Sequence, residues 1–459
     1  MTPGVDRSRV PHPGPVPSVR FPAVGTVRLS NGLAMRMVEH QGPPLVTFLL
    51  AIPAGSASDP PGQAGLAALT ADLLDEGSDG RTAFELHAAL DRIGARFGTE
   101  VGSDATTVSL TTLSRSAAEG LALLAEIVAC PRFDEADVAR VLELRRSRLR
   151  QLRTVPGAVA DRVFLETLYP MHPYGHLGIG TDASLSALTA TDVRQFHRDA
   201  FQLGSATLIA VGALTHEGFI EAAERAFGDV PMRPVSGAVV VDPAGLGAPG
   251  PPSARLVLVA RPGAVQSELR VGHVAAARRT PDYYALRVLN MVLGGQFVSR
   301  LNLTLREEKG CTYGVRTAFD FRRAPGPFAM QGSVQSSATV EALQEVFAQM
   351  EAIGGDRPVT VTELDLARAS LTRGFARGLE TAGQVARGIA RLVLHGLPAD
   401  YYDRFVAQVE AVDVSAVTAA ATAHLHADSA VAVIVGPADQ IAPGLGVLNL
   451  GDAERVEIK

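Results

Sequence analysis

Hydrophobic and polar positions along the chain trace short strands interleaved with helices, and the same succession occurs twice. Thr26–His40 reads as strand, turn and strand, with Asn31-Gly32 supplying the hairpin. Val46–Gly55 is apolar enough for a central strand. Helical spacing follows around Gly65–Leu74 and Ala83–Ile93, then strict alternation over Ala105–Leu113, then two longer helical patterns near Ala117–Val128 and Glu135–Leu152. Thr189–Ala200 predicts a helix with Thr189 or Thr191 near its cap, and Ser205–Gly212 a closing strand.

Pro231–Ser253 has almost no helical period and reads as a linker. Beyond it the plan repeats. Strands are expected over Ala254–Gly263 and Leu269–Ala276, and a helix over Pro281–Leu293 with proline in its first turn. Further strands fall near Cys311–Phe321 and Phe328–Ser333, and long helices over Ala338–Ile353 and Thr362–Leu379. The two halves end alike: Leu185–Gly212 and Val409–Gly436 each run a helix into a strand of small and branched residues closing on Val-Gly. A spacing of about 220 residues is too long for a solenoid and indicates a duplicated domain. Strands, helices and hairpin signals together predict α+β sheets with helices packed on one face. The expected divisions are a flexible arm (1–23), a first domain (24–230), the linker (231–253) and a second domain (254–459).

Composition narrows the function. Hydrophobic residues at 47% and charged residues at 20% suit a globular chain with real cores. A net charge of −6 provides no basic field to hold nucleic acid or an anionic membrane. Two distant cysteines, Cys130 and Cys311, imply no disulfide framework and read as small apolar residues. The proline-rich N-terminus lacks a run of signal-peptide length, and no stretch is apolar enough for a membrane span; a cytoplasmic location is expected.

Four segments, in order, resemble the M16 (pitrilysin-type) peptidase family. Gly55–Ser78 is similar to the stretch holding that family's zinc motif, and His172–Thr181 to its His-Pro-Tyr-Gly segment. Leu293–Val315 is similar to its C-terminal signature and Gly396–Val417 to its closing helices. The resemblance covers nearly the whole chain after about residue 24. It implies two homologous α+β domains, LuxS/metallohydrolase-like, forming half of a clamshell around a chamber. It also implies a zinc site built from His-x-x-Glu-His on a helix of the first half and a glutamate further along. Histidines at i and i+4 share one helix face and can hold zinc, while the glutamate activates bound water.

The sequence departs from the family at that motif. After Gly65-Leu66-Ala67 stand Ala68, Leu69, Thr70, Ala71 and Asp72, with neither histidine nor glutamate. The downstream ligand should fall near Ser147 or Arg148, and neither can serve. An arginine facing the old metal position would repel a zinc ion. No zinc is therefore expected in this chain, with Ala68, Ala71 and Asp72 at the lost motif positions. The second signature is retained as LREEKGCTY, which gives Arg306 and Tyr313. In the family such a pair reaches the substrate carbonyl near the zinc, an oxyanion-stabilising role, and can be supplied by a different chain from the one that holds the metal. The resemblance thus implies a non-catalytic subunit, paired with a zinc-bearing His-x-x-Glu-His subunit and supplying Arg306 and Tyr313 in trans for peptide or precursor proteolysis. The bland alternative is an arginine on a helix and a core tyrosine.

The family also receives substrate on an edge strand, here Phe97–Val101, whose Gly98, Thr99 and Glu100 are the candidate peptide-binding residues. His172 and His176 lie four apart, but Pro173 and Gly175 argue for a loop, where that spacing gives no shared face. His424 and His426 end a helix and read as solvated; Asp75 and Glu76 read as the exposed side of a helix end. Two other functions compete: a proteolytically inert scaffold or peptide-binding protein of the same fold, and an independent metallopeptidase using other ligands.

Overall fold

The computed structural model describes residues 19–231 and 255–457, with Gly14, Gly250 and Pro252. Most of the expected arm and linker (1–13, 15–18 and 232–249) lies outside the described residues. The first half carries β1 (Gly25–Arg28), β2 (Ala34–Glu39), β3 (Leu45–Ile52), a small ribbon of β4 (Gly77–Ser78) and β5 (Arg81–Thr82), then β6 (Arg96–Val101), β7 (Thr106–Leu113) and β8 (Thr207–Gly212). Its helices are α1 (Leu66–Asp72), α2 (Ala83–Arg92), α3 (Ala117–Ala129), α4 (Glu135–Leu152), α5 (Pro156–Leu168), α6 (Asp182–Ala187), α7 (Ala190–Ala200) and α8 (His216–Phe227). The second half carries β9 (Leu256–Ala260), β10 (Gln266–Val274), β11 (Val315–Phe319), β12 (Pro327–Gln335), β13 (Val431–Gly436) and β14 (Glu454–Val456). Its helices are α9 (Tyr283–Asn290), α10 (Arg300–Asn302), α11 (Thr339–Ala352), α12 (Val361–Arg373), α13 (Ala382–His395), α14 (Tyr401–Glu410), α15 (Val414–His424) and α16 (Ala438–Ile441).

The duplication is visible strand by strand. The first sheet runs β1-β2-β8-β3-β7-β6 and the second β14-β9-β13-β10-β12-β11. Five positions correspond in order and direction; the sixth does not. β1 enters antiparallel through the Asn31-Gly32 turn, where Gly32 takes φ +97°, whereas β14 arrives from the chain's far end and pairs parallel with β9.

Two helices exchanged between the halves bind them together. α5 of the first half lays Val159, Ala160, Val163 and Phe164 on Val257, Val431 and Val433 of the second sheet. α13 of the second half lays Val385, Ala386 and Ile389 on Leu49, Ala51 and Ile209 of the first. Each sheet is thus covered on both faces, which is why β3, β8 and β13 are near-continuous apolar runs, with Thr47 and Thr207 the exceptions, instead of alternating. Arg270 of β10 reinforces one crossing: its buried guanidinium donates to Asp161 at 2.6 Å and to the Gly157 carbonyl at 3.1 Å, both on α5.

Several expectations need correction. Phe21, assigned to a free arm, is buried against the second half, with its ring stacked on Tyr402 at 4.6 Å and its amide donating to Asp403 at 2.7 Å. The single helix expected over Thr362–Leu379 stops at Arg373 before Gly374, where Phe375 turns in to stack on Phe405 at 4.4 Å. Cys130 is exposed and only Cys311 is buried.

Candidate functional site

α1 begins at Gly65, whose φ of +96° and close approach to Gly180 leave no room for a side chain; a Cβ there would lie 2.9 Å from the Gly180 Cα. Its first turn is capped by the buried Asp59 carboxylate, which accepts from the Gly65 and Ala67 amides at 2.7 Å each and meets His176 Nε2 at 3.0 Å. His172 instead accepts from the Tyr174 amide at 3.1 Å. The two histidines therefore serve separate structural bonds and do not converge.

The residues along α1 then meet α4. Ala71 is fully buried, and Ala68 packs beside Gly178. Asp72 forms an ion pair with Arg145, whose other terminal nitrogen donates to the Gly178 carbonyl at 2.6 Å. The Arg145 side chain is only 9% exposed. Ser147, expected opposite the motif, is exposed, while Arg148 borders the same space as Asp72 and Arg145 and also donates to Gln151 at 2.6 Å. The arginine of α4 that meets the last motif position, Asp72, is thus Arg145.

Around this pair lies a cavity of about 440 Å³ lined by α1, α4 and the β6 edge, including Phe97, Gly98 and Thr99. Glu100 points away and lines a different cavity, toward α13. Among the described residues β6 pairs with β7 alone, which leaves its outer edge available for strand addition. Asp75 and Glu76, expected to be solvated, are half-buried in the same wall. Burial raises the Asp75 carboxyl against the pull of His87 at 3.5 Å, and Glu76 pairs with Arg140 at 2.5 Å.

A catalytic zinc does not fit these residues. It needs about three neutral or anionic donors, and each carboxylate in this wall already has a cationic or histidine neighbour: Asp72 has Arg145, Glu76 has Arg140 and Asp75 has His87, with no histidine among the lining residues. Among the described residues no group of three or more His, Cys, Asp or Glu is gathered to hold a metal ion.

The second half presents a different surface. Arg306 sits in a widened π-helical turn, Leu303–Glu308, and its guanidinium lies 3.7 Å over the Phe297 ring. Among the described residues its one ion-pair partner is Glu307 at 3.6 Å, and its buried Nη1 makes no hydrogen bond. Tyr313 is 93% exposed, which excludes a core role. The loop that carries it is fixed. Asn302 bonds to Val315 through both side-chain atoms, at 3.0 and 2.9 Å, and the Thr312 hydroxyl donates to the Ser333 carbonyl at 2.6 Å. Neither Arg306 nor Tyr313 lines the α1–α4 cavity, all of whose lining residues come from the first half.

The His-Pro-Tyr-Gly segment proves to be a clamp between halves, a role the sequence reading missed. The buried Tyr174 hydroxyl donates to Asp104 at 2.5 Å and accepts from the Ala324 amide at 3.2 Å, while Asp104 also accepts from the Arg323 amide at 2.8 Å. Burial raises the Tyr174 phenol, as does its bond to Asp104, so it stays a donor. His424 is likewise not solvated: it pairs with Asp282, the residue just before α9, at 2.7 Å.

Paired α+β domains with a zinc-helix position that has lost its ligands define a class of protein, and the sequence models of the M16 peptidases match it. Residues 37–181 match the insulinase model of that family and residues 187–371 its "Peptidase M16 inactive domain" model. The chain belongs to the M16 peptidase family. Uncharacterised zinc proteases of Mycobacterium tuberculosis and Bacillus subtilis are similar to it. They share 26% identity over 391 residues (83% of this chain, 86% of the relative) and 23% over 384 residues (83% and 90%). A peptidase M16 inactive domain from Pseudomonas fluorescens has a similar structure, with a TM-score of 0.82 at 27% identity, covering 90% of this chain and 98% of that one. A protease from Helicobacter pylori shares the fold, with a TM-score of 0.82 at 20% identity over 91% and 100% of the two chains.

Proposed function

We propose that this chain is the non-catalytic subunit of a heterodimeric M16 zinc metallopeptidase, with its two M16 domains at 24–230 and 254–459. It closes the chamber of a partner bearing His-x-x-Glu-His and zinc, in the cytoplasm, and supplies Arg306 and Tyr313 to that partner's site. The observation that carries this reading is the Arg145–Asp72 pair: the position where a metal would sit is occupied by the protein's own cation. Tyr313 on its fixed loop, with Arg306 holding a donor that makes no hydrogen bond, supports the rest.

The chemistry asked of the pair is modest and specific. As a peptide carbonyl is attacked, its oxygen gains negative charge, and a guanidinium and a phenol hydroxyl donating to it stabilise that charge more than the ground state. Peptides or precursor segments would pair with an open strand edge; Gly98, Thr99 and Glu100 offer one on this chain. The test is to titrate the partner peptidase with this chain or its Arg306→Ala and Tyr313→Phe variants. Each variant should form the complex yet lower kcat by about 10- to 1,000-fold, the range for removing one oxyanion donor. Unchanged activity with both would favour the proteolytically inert scaffold.

A further inference from the structure

We propose that the second half holds a binding site for a small aromatic carboxylate, in a cavity of about 510 Å³ walled by α9, α12, α13 and α14. The argument begins with Arg278. Four arginines are buried in the described residues, and three have a carboxylate partner: Arg145 with Asp72, Arg270 with Asp161 and Glu268, Arg322 with Asp320. Arg278 has none. Its guanidinium lies against aromatic rings, 3.6 Å over Tyr283 and 5.1 Å from Tyr401, both of which line the cavity. A buried guanidinium without a counter-charge is costly, and an anion bound beside it would remove that cost.

Two more guanidiniums share the cavity. Arg287, half-buried, donates to the Tyr283 hydroxyl at 2.9 Å, and Arg391 stands exposed at the rim. Among the described residues neither makes an ion pair, and none of those lining the cavity is acidic. The carboxylates nearby are engaged elsewhere: Asp282 by His424, Asp403 by the Phe21 amide and Asp400 by Arg404. Six aromatic side chains line the wall, Phe375 and Phe405 stacked at 4.4 Å among them, with leucine, glycine and small polar residues between. Arginine forks recognise carboxylates bidentately, aromatic walls take a flat ring, and the volume lies in the range of small-ligand sites. The carboxylate could belong to a free aromatic acid or to the C-terminus of a short peptide.

The site needs no partner subunit, so its test uses the full chain alone and stands apart from any peptidase assay. Calorimetric titration with N-acetylphenylalanine should show one saturable site. Its amide, acetate and inorganic phosphate should each bind at least about tenfold more weakly, since each lacks either the charge or the ring. A peptide ending in free phenylalanine binding as well as the acid would assign the site to peptide C-termini; failing to bind would assign it to free acids. Because Arg278→Gln risks misfolding a buried site, Arg287→Gln and Arg391→Gln are the decisive variants, and each should weaken the acid by about tenfold. No binding at millimolar acid, equal binding of acid and amide, phosphate binding as tightly as the acid, or indifference to both variants would overturn the proposal.

Discussion

The zinc-helix position of the first half and the Arg306–Tyr313 loop of the second have come to opposite electrostatic ends. At α1 the charges are satisfied from within: Arg145 meets Asp72 and the Gly178 carbonyl, Arg140 meets Glu76, and no metal-holding group of three or more His, Cys, Asp or Glu is gathered among the described residues. At the loop the scaffold is satisfied and the chemistry is not. Asn302 and Thr312 hold the backbone, while Arg306 keeps a buried Nη1 without a hydrogen bond, beside Glu307 at 3.6 Å, and Tyr313 stands in solvent. A site that spends its charges internally becomes structure; one that fixes its backbone and leaves its donors open keeps the capacity to act on something else.

The sharpest way to break this contrast is to rebuild the ligands. Ala68→His with Asp72→His should leave the chain without zinc, because Arg145 would then repel the ion. Adding Arg145→Glu should produce zinc binding measurable by metal analysis. Zinc in the double variant would mean that Arg145 does not guard the position.

Acid stability separates buried charge elsewhere from the cavity pair. Burial depresses His273 to about 4. Its native state therefore disfavours the proton, and the stability it contributes is full above its unfolded value near 6.5 and lost as pH falls toward 4, by about 3 kcal/mol at most. Glu363 is held at about 2: burial opposes ionisation, but the bidentate bond from Arg300, at 2.6 and 2.8 Å, and the Thr360 cap prevail. Its contribution is present above about 4.5 and lost as pH falls toward 2. Urea melts across pH should show both windows, and His273→Gln should flatten the upper one.

Asp72→Asn strands a buried guanidinium. Because Asp72 is half-exposed, the cost should be about 1–2 kcal/mol, less than for a fully buried pair, and read as a lower urea midpoint at unchanged slope. Tyr174→Phe removes one hydroxyl from the clamp and should cost about 1 kcal/mol. If Asp72→Asn proves neutral while Tyr174→Phe does not, the α1–α4 pair is not a structural brace.

Much of the fold was legible because its signals are local. Glu135–Leu152 is the helix its spacing predicts, to the residue, and Thr189 caps α7 with Asp192 completing the box. The duplication was legible from the matched ends of the halves. α5 and α13 were missed, although each carries an apolar face at helical spacing, and α5 opens with Pro156 at N1. No local pattern could tell that each crosses to the opposite sheet, since the partner faces are distant in sequence. At the site, the loss of ligands was legible as an absence of residue types. The identity of the replacement was not, because the turns between α1 and α4 set which arginine arrives, and Arg145 lies three residues from Arg148. The division between domains is a comparable case: the two family models meet between residues 181 and 187, yet β8, at Thr207–Gly212, is central to the first sheet.

The most direct measurement is peptidase activity of this chain alone and mixed with a His-x-x-Glu-His subunit, with zinc quantified in both. The account predicts a metal-free, inert chain and an active mixture. Stoichiometric zinc and peptide cleavage by the chain alone would contradict it, and would mean that Arg145 and Asp72 do not close the metal position.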